Sequence, residues 1–446
     1  MGAETIGPTN EAQNPLVTSD APKRIGLALS GGGFRATLFH IGVVRCLFDT
    51  GLLPRVRFIS GVSGGSILAM HVGLHWARYS GDDSTFDGVA REVITFCQRD
   101  VRNRIIRRWL FGIATIIPRS LFGWSRVHLL ISEYKRLFSN HTLNDLLPRE
   151  GSQKPRILAQ SVSLTTGQPC SFGRSGFMWY EADEQGFLNE KERSLLTPHL
   201  QIAFAVAASS AFPPMFPPVR ITSKDLHVNN SDFPNVQFIT DGGVYDNLGI
   251  ERPLWYFDQE NELDAFIVSD AGGTFDRTNK NYRFALPRNL RATDILMKRV
   301  GDLVYQRLLD RQRQHDFAYV RIIDTTDSKA SGALPPAVQR RVSRVRTDLD
   351  AFTDIEISTL VQHGYSVARK RLIEKDWING NTPNCEWFPV PVKVMDANAW
   401  AESLLKSSTR SYLPLFSLRD WPVWAAMAVL VFVLGLALAA YFLWMN

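Results

Sequence analysis

Three short glycine-rich segments hold the residues best suited to chemistry. The first is Ser60-Gly61-Val62-Ser63-Gly64-Gly65-Ser66, which fits the spacing G-x-S-x-G with Ser63 at its centre. A nucleophile at the apex of a tight strand-to-helix turn has strained backbone angles, so the neighbours two residues away, here Gly61 and Gly65, must be small. Such a turn also sets the serine at a helix N-terminus, where amides and the helix dipole favour developing negative charge. The second segment is Ser30-Gly31-Gly32-Gly33-Phe34-Arg35. Bare glycine amides at the opening of a helix can point at an anion. As a nucleotide cradle the segment fits poorly. Ala36 stands where G-x-G-x-x-G has its last glycine, no Lys-Ser/Thr follows, and the next strand runs into the serine turn rather than an acidic ribose ligand. An oxyanion hole built from Gly31, Gly32 and Gly33 fits better, with Arg35 supporting the loop or a substrate phosphate.

The third segment is Thr240-Asp241-Gly242-Gly243-Val244-Tyr245-Asp246-Asn247. An aspartate at a strand end followed by Gly242 and Gly243 lets its carboxylate lie close to another loop. Spacing alone does not choose among Asp241, Asp246 and Asp270, the last in a similar Asp-Ala-Gly-Gly run. No histidine sits in an obvious strand-end turn, so a Ser-His-Asp triad lacks a candidate base. His71 and His75 stand one helical turn apart without an HExxH around them, and they read as ordinary helix residues. No zinc-like Cys/His cluster is present. Cys46, Cys97, Cys170 and Cys385 have no pairing or CxxC spacing and read as reduced thiols.

A run of β-turn-α units must position these groups. Residues 24–29 read as a buried strand, followed by the glycine loop and a helical pattern through Leu38, Ile41, Val44 and Leu47. Residues 56–60 form a second strand, residues 61–65 its turn and residues 67–79 a second helix. This order predicts a parallel sheet with helices on its faces. Further strands are expected at 156–163, 236–240, 265–269 and 318–323, and helices at 294–309 and 353–372.

Taken in order, the three segments resemble the patatin-like phospholipases, with a G-G-G-x-R loop, a G-x-S-x-G nucleophile and an Asp-Gly-Gly block. Ala208-Ser209-Ser210-Ala211-Phe212-Pro213-Pro214 is similar to that family's small-residue helix end and proline turn. The resemblance covers residues 24–273, with weaker support to 372; Ala36 departs from it, where many relatives carry glycine. It implies a three-layer α/β/α hydrolase fold with a mainly parallel sheet and a Ser-Asp dyad of Ser63 and Asp241. It also implies an oxyanion loop at Gly31 to Gly33, and a lipid acyl ester as substrate, of the phospholipase A or lysophospholipase type. No metal or other cofactor is required by that mechanism. A transacylase, or a silent membrane-bound lipid-binding scaffold, are the alternatives.

Composition fits this organisation. Nearly half the 446 residues are apolar and a fifth are charged, the balance of a globular chain rather than a disordered one. The net charge is +6, and residues 99–126, with seven arginines and Asp100, carry as much by themselves. No helix-turn-helix, zinc-finger or RNA-binding signature accompanies that charge, so nucleic acid is not the expected partner. In a helix, Val101, Ile105, Ile106, Trp109 and Leu110 fall on one half and Arg104, Arg107 and Arg108 on the other. Two readings follow: a core helix with a solvated basic face, or an interfacial lid that dips into anionic headgroups.

Residues 1–22 read as a disordered polar tail without a signal-peptide pattern. Residues 23–290 form the expected catalytic core, 291–400 its mostly helical continuation and 401–420 a juxtamembrane linker. Residues 421–444 contain no charged side chain. As a helix they would extend about 36 Å, against a hydrocarbon core of roughly 30 Å. Trp421, Trp424, Tyr441 and Trp444 lie near the two ends, where amphipathic rings favour the interface. A single transmembrane helix is therefore expected. Lys406, Arg410 and Arg419 precede it, which places the catalytic domain on the cytoplasmic side.

Overall fold

The computed structural model describes residues 16–113, 126–148, 153–182, 188–229, 231, 233, 236–254, 263–273, 282–311, 316–327, 332–380, 387–391 and 396–408, with 424, 428, 431, 432, 434–436 and 438. Its centre is a ten-stranded sheet. Five strands run parallel in the spatial order β10 (Asp316–Arg321), β9 (Ala265–Asp270), β1 (Ile25–Leu29), β2 (Val56–Val62) and β3 (Arg156–Ser163). β1 reads Ile-Gly-Leu-Ala-Leu and is buried throughout, as a strand covered on both faces must be. Its side chains alternate between two cores. Ile25, Leu27 and Leu29 join the larger cluster, and Ala28 joins the smaller one with Phe58, Phe266 and Val268.

Helices cover both faces. α1 (Gly33–Asp49), α2 (Gly64–Leu74) and α10 (Asp354–Glu374) supply the larger core. The C-terminal half of α8 (Ala285–Arg311) closes the other face through Val304 and Leu308. α1 and α10 cross at glycines: a Cβ on Gly42 would lie 1.9 Å from the Val361 carbonyl oxygen, and one on Gly364 would lie 2.1 Å from that of Phe39. β10 completes the sheet from within residues 291–400, so that segment shares the core with what precedes it.

Beyond β3 the sheet continues antiparallel through β4 (Pro169–Gly173), β5 (Gly176–Ala182) and β6 (Leu188–Leu195), which the hydropathy pattern does not announce. β6 reads Leu-Asn-Glu-Lys-Glu-Arg-Ser-Leu, an edge strand held by its ladder rather than by apolar alternation. β8 (Gln237–Asp241) lies antiparallel to β3 with β7 (Val219–Ile221) on its far side. The expected helix over 67–79 is two: α2 stops at Leu74, and His75 separates it from a short α3 (Trp76–Tyr79).

Residues 16–22, expected to belong to the disordered N-terminal tail, are instead ordered, while residues 1–15 lie outside the described residues. Val17 forms a bridge with Ile378, the Thr18 amide donates to the Trp377 carbonyl at 3.3 Å, and Ala21 is buried, so residues from Leu16 onward dock on the body. Of the C-terminal apolar run, most lies outside the described residues. The side chains of Trp424, Val431, Phe432, Leu434, Leu436 and Leu438 are helical and exposed. Among the described residues no helix is long and apolar enough to cross a membrane.

Candidate active site

β2 delivers Ser63 into the turn that opens α2, where its backbone sits at φ 50° and ψ −118°. That left-handed φ is costly for a side-chain-bearing residue and is kept only where the surroundings over-determine it. Here the surroundings are glycines. A Cβ on Gly61 would lie 2.6 Å from the Gly65 carbonyl oxygen, one on Gly65 would lie 2.2 Å from that of Leu29, and one on Gly64 would lie 2.0 Å from that of Gly33. The G-x-S-x-G spacing is therefore steric, as expected. The elbow is also tied down by hydrogen bonds. The Ser63 amide donates to Ser209 Oγ at 3.1 Å, and Ser209 Oγ donates to the Gln160 carbonyl at 2.6 Å. Ser66 Oγ donates to the Ser63 carbonyl at 2.6 Å. Ser209 ends α7 (Ile202–Ser209), so the small-residue helix end noted in the sequence buttresses the turn.

Asp241 reaches Ser63 through strand register. β2 pairs along one edge of β3 until Val62 faces Gln160; β8 then takes over that edge, with Asp241 facing Ser161. The last residue of β8 thus arrives where β2 turns away. The Asp241 carboxyl is buried, accepts the Gly243 amide at 2.7 Å and lies near enough to the Ser63 side chain for it to favour the ionised form. Burial pushes its pKa up from 3.8 to about 7, against the opposing pull of the Gly243 amide and the nearby Ser63 side chain. A Cβ on Gly243 would lie 3.0 Å from Asp241 Oδ1, so the glycine lets its amide approach. The other two aspartates are occupied elsewhere. Asp246 accepts the amides of Leu248, Ile250 and Glu251. Asp270 accepts the Gly272 amide at 2.9 Å and the Tyr319 hydroxyl at 2.9 Å.

The glycine loop lies alongside the elbow: a Cβ on Gly31 would be 3.4 Å from Ser63 Cβ. Gly32 and Gly33 have φ 139° and 57°, which aim the loop at the start of α1. The Gly31 amide differs from the expectation, because it donates to the Asn247 carbonyl at 2.9 Å. Among the described residues no acceptor takes the amides of Gly32 or Gly33. Arg35 is a clamp under the loop. Its buried guanidinium donates to the carbonyls of Ser343, Val345 and Ala271 at 3.0, 2.7 and 2.8 Å. Burial lowers its pKa to about 10, still cationic at neutral pH.

Sequence reasoning assigned no role to two residues at this site. Asn247 is wedged among three glycine loops; Cβ atoms on Gly31, Gly243 and Gly272 would come within 2.4, 2.7 and 2.7 Å of its side-chain amide. His40 sits behind the oxyanion loop, with Nδ1 2.7 Å from Ser269 Oγ and Nε2 3.0 Å from the Ser30 carbonyl oxygen. Burial lowers its pKa to about 4, so it is a neutral strut for the loop.

The basic segment departs from both readings offered above. Residues 101–113 form α5, with Val101 and Ile105 in the core, but the arginines do not face solvent or lipid freely. Arg107 is buried and pairs with Asp100 at 3.1 Å. Arg104 and Arg108 approach the buried Glu133 of α6 (Arg126–Phe138) at 3.6 and 3.3 Å. A buried carboxylate requires such partners. The remainder of the segment, 114–125, lies outside the described residues.

The family model for patatin-like phospholipases matches residues 27–254. Among curated proteins, triacylglycerol lipase 5 of Saccharomyces cerevisiae is 28% identical over 237 residues, 51% of this chain and 28% of that protein. Triacylglycerol lipase 4 of the same yeast is 54% identical over 52 residues, 12% of this chain and 5% of that protein. The match thus spans about a quarter of the first relative's length. Among solved structures, human GIVD cytosolic phospholipase A2 in complex with methyl gamma-linolenyl fluorophosphonate aligns with a TM-score of 0.45 at 15% identity, covering 80% of this chain and 61% of that one. VipD from Legionella pneumophila aligns with a TM-score of 0.35 at 17% identity, covering 79% and 67%.

Proposed function

The chain belongs to the patatin-like phospholipase family, and from that premise we propose that it is a lipid acyl hydrolase acting through Ser63 and Asp241. The observation that carries this reading is the strained elbow that holds Ser63 at φ 50° where the strand register brings in the buried Asp241 carboxyl, whose pKa the nearby Ser63 side chain pulls down. As the Ser63 oxygen bonds to the ester carbonyl carbon, its proton passes to Asp241. The carbonyl π pair moves onto oxygen, where the open amides of Gly32 and Gly33 and the N-termini of α1 and α2 oppose the charge. Collapse breaks the bond to the alcohol half of the lipid, which leaves with the proton from Asp241. Water then attacks the acyl-serine, again giving its proton to Asp241; the fatty acid departs and Ser63 recovers its hydrogen. A carboxylate of ordinary pKa is a weak base at neutral pH, and a value near 7 is matched to the task.

In this reading residues 421–444 form a C-terminal transmembrane anchor, on the evidence of their charge-free run and the exposed apolar side chains at 431, 432, 434, 436 and 438. The same reading sets the catalytic domain on the cytoplasmic side, supported by the basic residues Lys406, Arg410 and Arg419 ahead of that run. The substrate would be a phospholipid or another lipid ester in that membrane. The test is release of fatty acid from a panel of phospholipids, lysophospholipids and triacylglycerols by the purified protein, beside Ser63→Ala. Release from at least one class, lost in the variant, is expected. No release from any class by a folded wild-type protein would overturn the reading.

A further inference from the structure

His71 and His75 look unremarkable in the sequence, but the fold brings a carboxylate to them. They lie at the C-terminal end of α2, and α4 (Asp83–Cys97) sets Glu92 against them. One ligand atom from each of the three lies within 4.8 Å of the others. His71 is fully buried, and its Nδ1 is 3.1 Å from the Tyr79 hydroxyl. Its Nε2 faces Glu92 Oε2 at 3.4 Å without forming a hydrogen bond and has no other partner. Glu92 is oriented by its second oxygen, since Arg78 Nη1 binds Oε1 at 2.6 Å.

We propose that His71, His75 and Glu92 form a binding site for a divalent cation of the zinc class. The separation is the first reason. A nitrogen and an oxygen each about 2.0–2.2 Å from one tetrahedral zinc ion lie roughly 3.4 Å apart. The His71–Glu92 distance is 3.4 Å, wider than a good hydrogen bond and suited to a shared ion. The second reason is the buried orphan nitrogen, which an ion would satisfy. The third is the outer layer: Tyr79 can accept the Nδ1 proton, leaving the Nε2 lone pair free to ligate, and Arg78 fixes the carboxylate. Two imidazoles and one carboxylate favour zinc over magnesium or calcium, which take oxygen ligands. His75 is half-buried and Glu92 partly exposed, so water could reach a fourth position.

The site ties the far end of the Ser63-bearing helix to α4. His71 lies eight residues beyond Ser63, about 12 Å along the helix, so the ion would join the end of that helix to α4 and take no part at Ser63. The proposal does not rest on the hydrolase reading.

The test uses the untagged full-length protein in detergent, titrated with zinc chloride after chelator treatment. One zinc per chain is expected, with a rise in thermal midpoint, while magnesium gives neither. His75→Gln and Glu92→Gln, chosen because neither residue is fully buried, should each weaken zinc binding at least tenfold and abolish the thermal shift. Their hydrolysis of a soluble ester should stay within twofold of wild type. No zinc uptake, or zinc bound with unchanged affinity by both variants, would overturn the assignment.

Discussion

Replacing Asp241 by asparagine should kill activity and stabilise the fold, with a pH dependence that follows from burial. The shapes match: Asn Oδ1 can still accept the Gly243 amide, and its NH2 group can face the Ser63 oxygen. What is removed is a buried ionisable group. In the native protein burial raises the Asp241 pKa from 3.8 to about 7. Between those values the native state holds a proton that the unfolded chain has released, so rising pH lowers stability. Below pH 3.8 both states are protonated and the term vanishes; above about 7 the full cost of the buried charge is present. Raising a carboxyl from 3.8 to about 7 sets a ceiling of roughly 4 kcal/mol on that cost. The variant should therefore match wild type in stability near pH 4 and exceed it by about 1–4 kcal/mol at pH 8. Its ester hydrolysis should fall at least about a hundredfold, the scale of a general base. Wild-type activity should rise with pH through about 7 as Asp241 ionises. Denaturant unfolding of both proteins at pH 4, 6 and 8 isolates the term, because every other titrating group is shared. If the stability difference did not grow with pH, the burial argument would be wrong. If the variant kept a tenth of wild-type activity, Asp241 would not be the base.

Other substitutions probe the surroundings. Gly64→Ala would drive a Cβ to 2.0 Å from the Gly33 carbonyl oxygen, so hydrolysis should drop at least about a hundredfold and the thermal midpoint should fall. Arg35→Ala removes three hydrogen bonds from one buried cation and should cost about 3 kcal/mol or more by denaturant unfolding. Changing Arg104 and Arg108 to glutamine strips the buried Glu133 of two cationic neighbours; the result should be a loss of about 2–4 kcal/mol in stability, with binding to anionic vesicles reduced by less than half. A chain ending at Asp420 should move to the soluble fraction and still hydrolyse a short ester; retention in the carbonate-washed membrane would show another anchor.

The parts of this site legible in the sequence are those set by local sterics. Ser63 is identifiable because the turn needs Gly61 and Gly65, whose added Cβ atoms would strike neighbouring backbone oxygens. β1, β9 and the start of α1 are legible because buried parallel strands are apolar throughout and helices restore the 3.6 period. The choice of Asp241 over Asp246 and Asp270 is not local. It depends on β8 inserting antiparallel beside β3 at the Ser161–Asp241 register, a pairing across 80 residues. Gly31, read as an open amide, is taken by the carbonyl of Asn247, again a long-range contact. Hydropathy failed for β6, whose charged residues pair through the ladder, and for Arg107, whose burial is made tolerable by Asp100. Glu92 meets His71 only through the tertiary packing that brings α4 to the C-terminal end of α2, which no spacing encodes.

The central claim is that Ser63 is the nucleophile, and covalent labelling tests it most directly. The purified protein would be treated with an alkyl fluorophosphonate, digested and read by tandem mass spectrometry. One phosphonyl group on the Ser63 peptide is expected, absent from folded Ser63→Ala and greatly slowed in Asp241→Asn. Undiminished labelling of Ser63→Ala, or a modification confined to another serine, would contradict it.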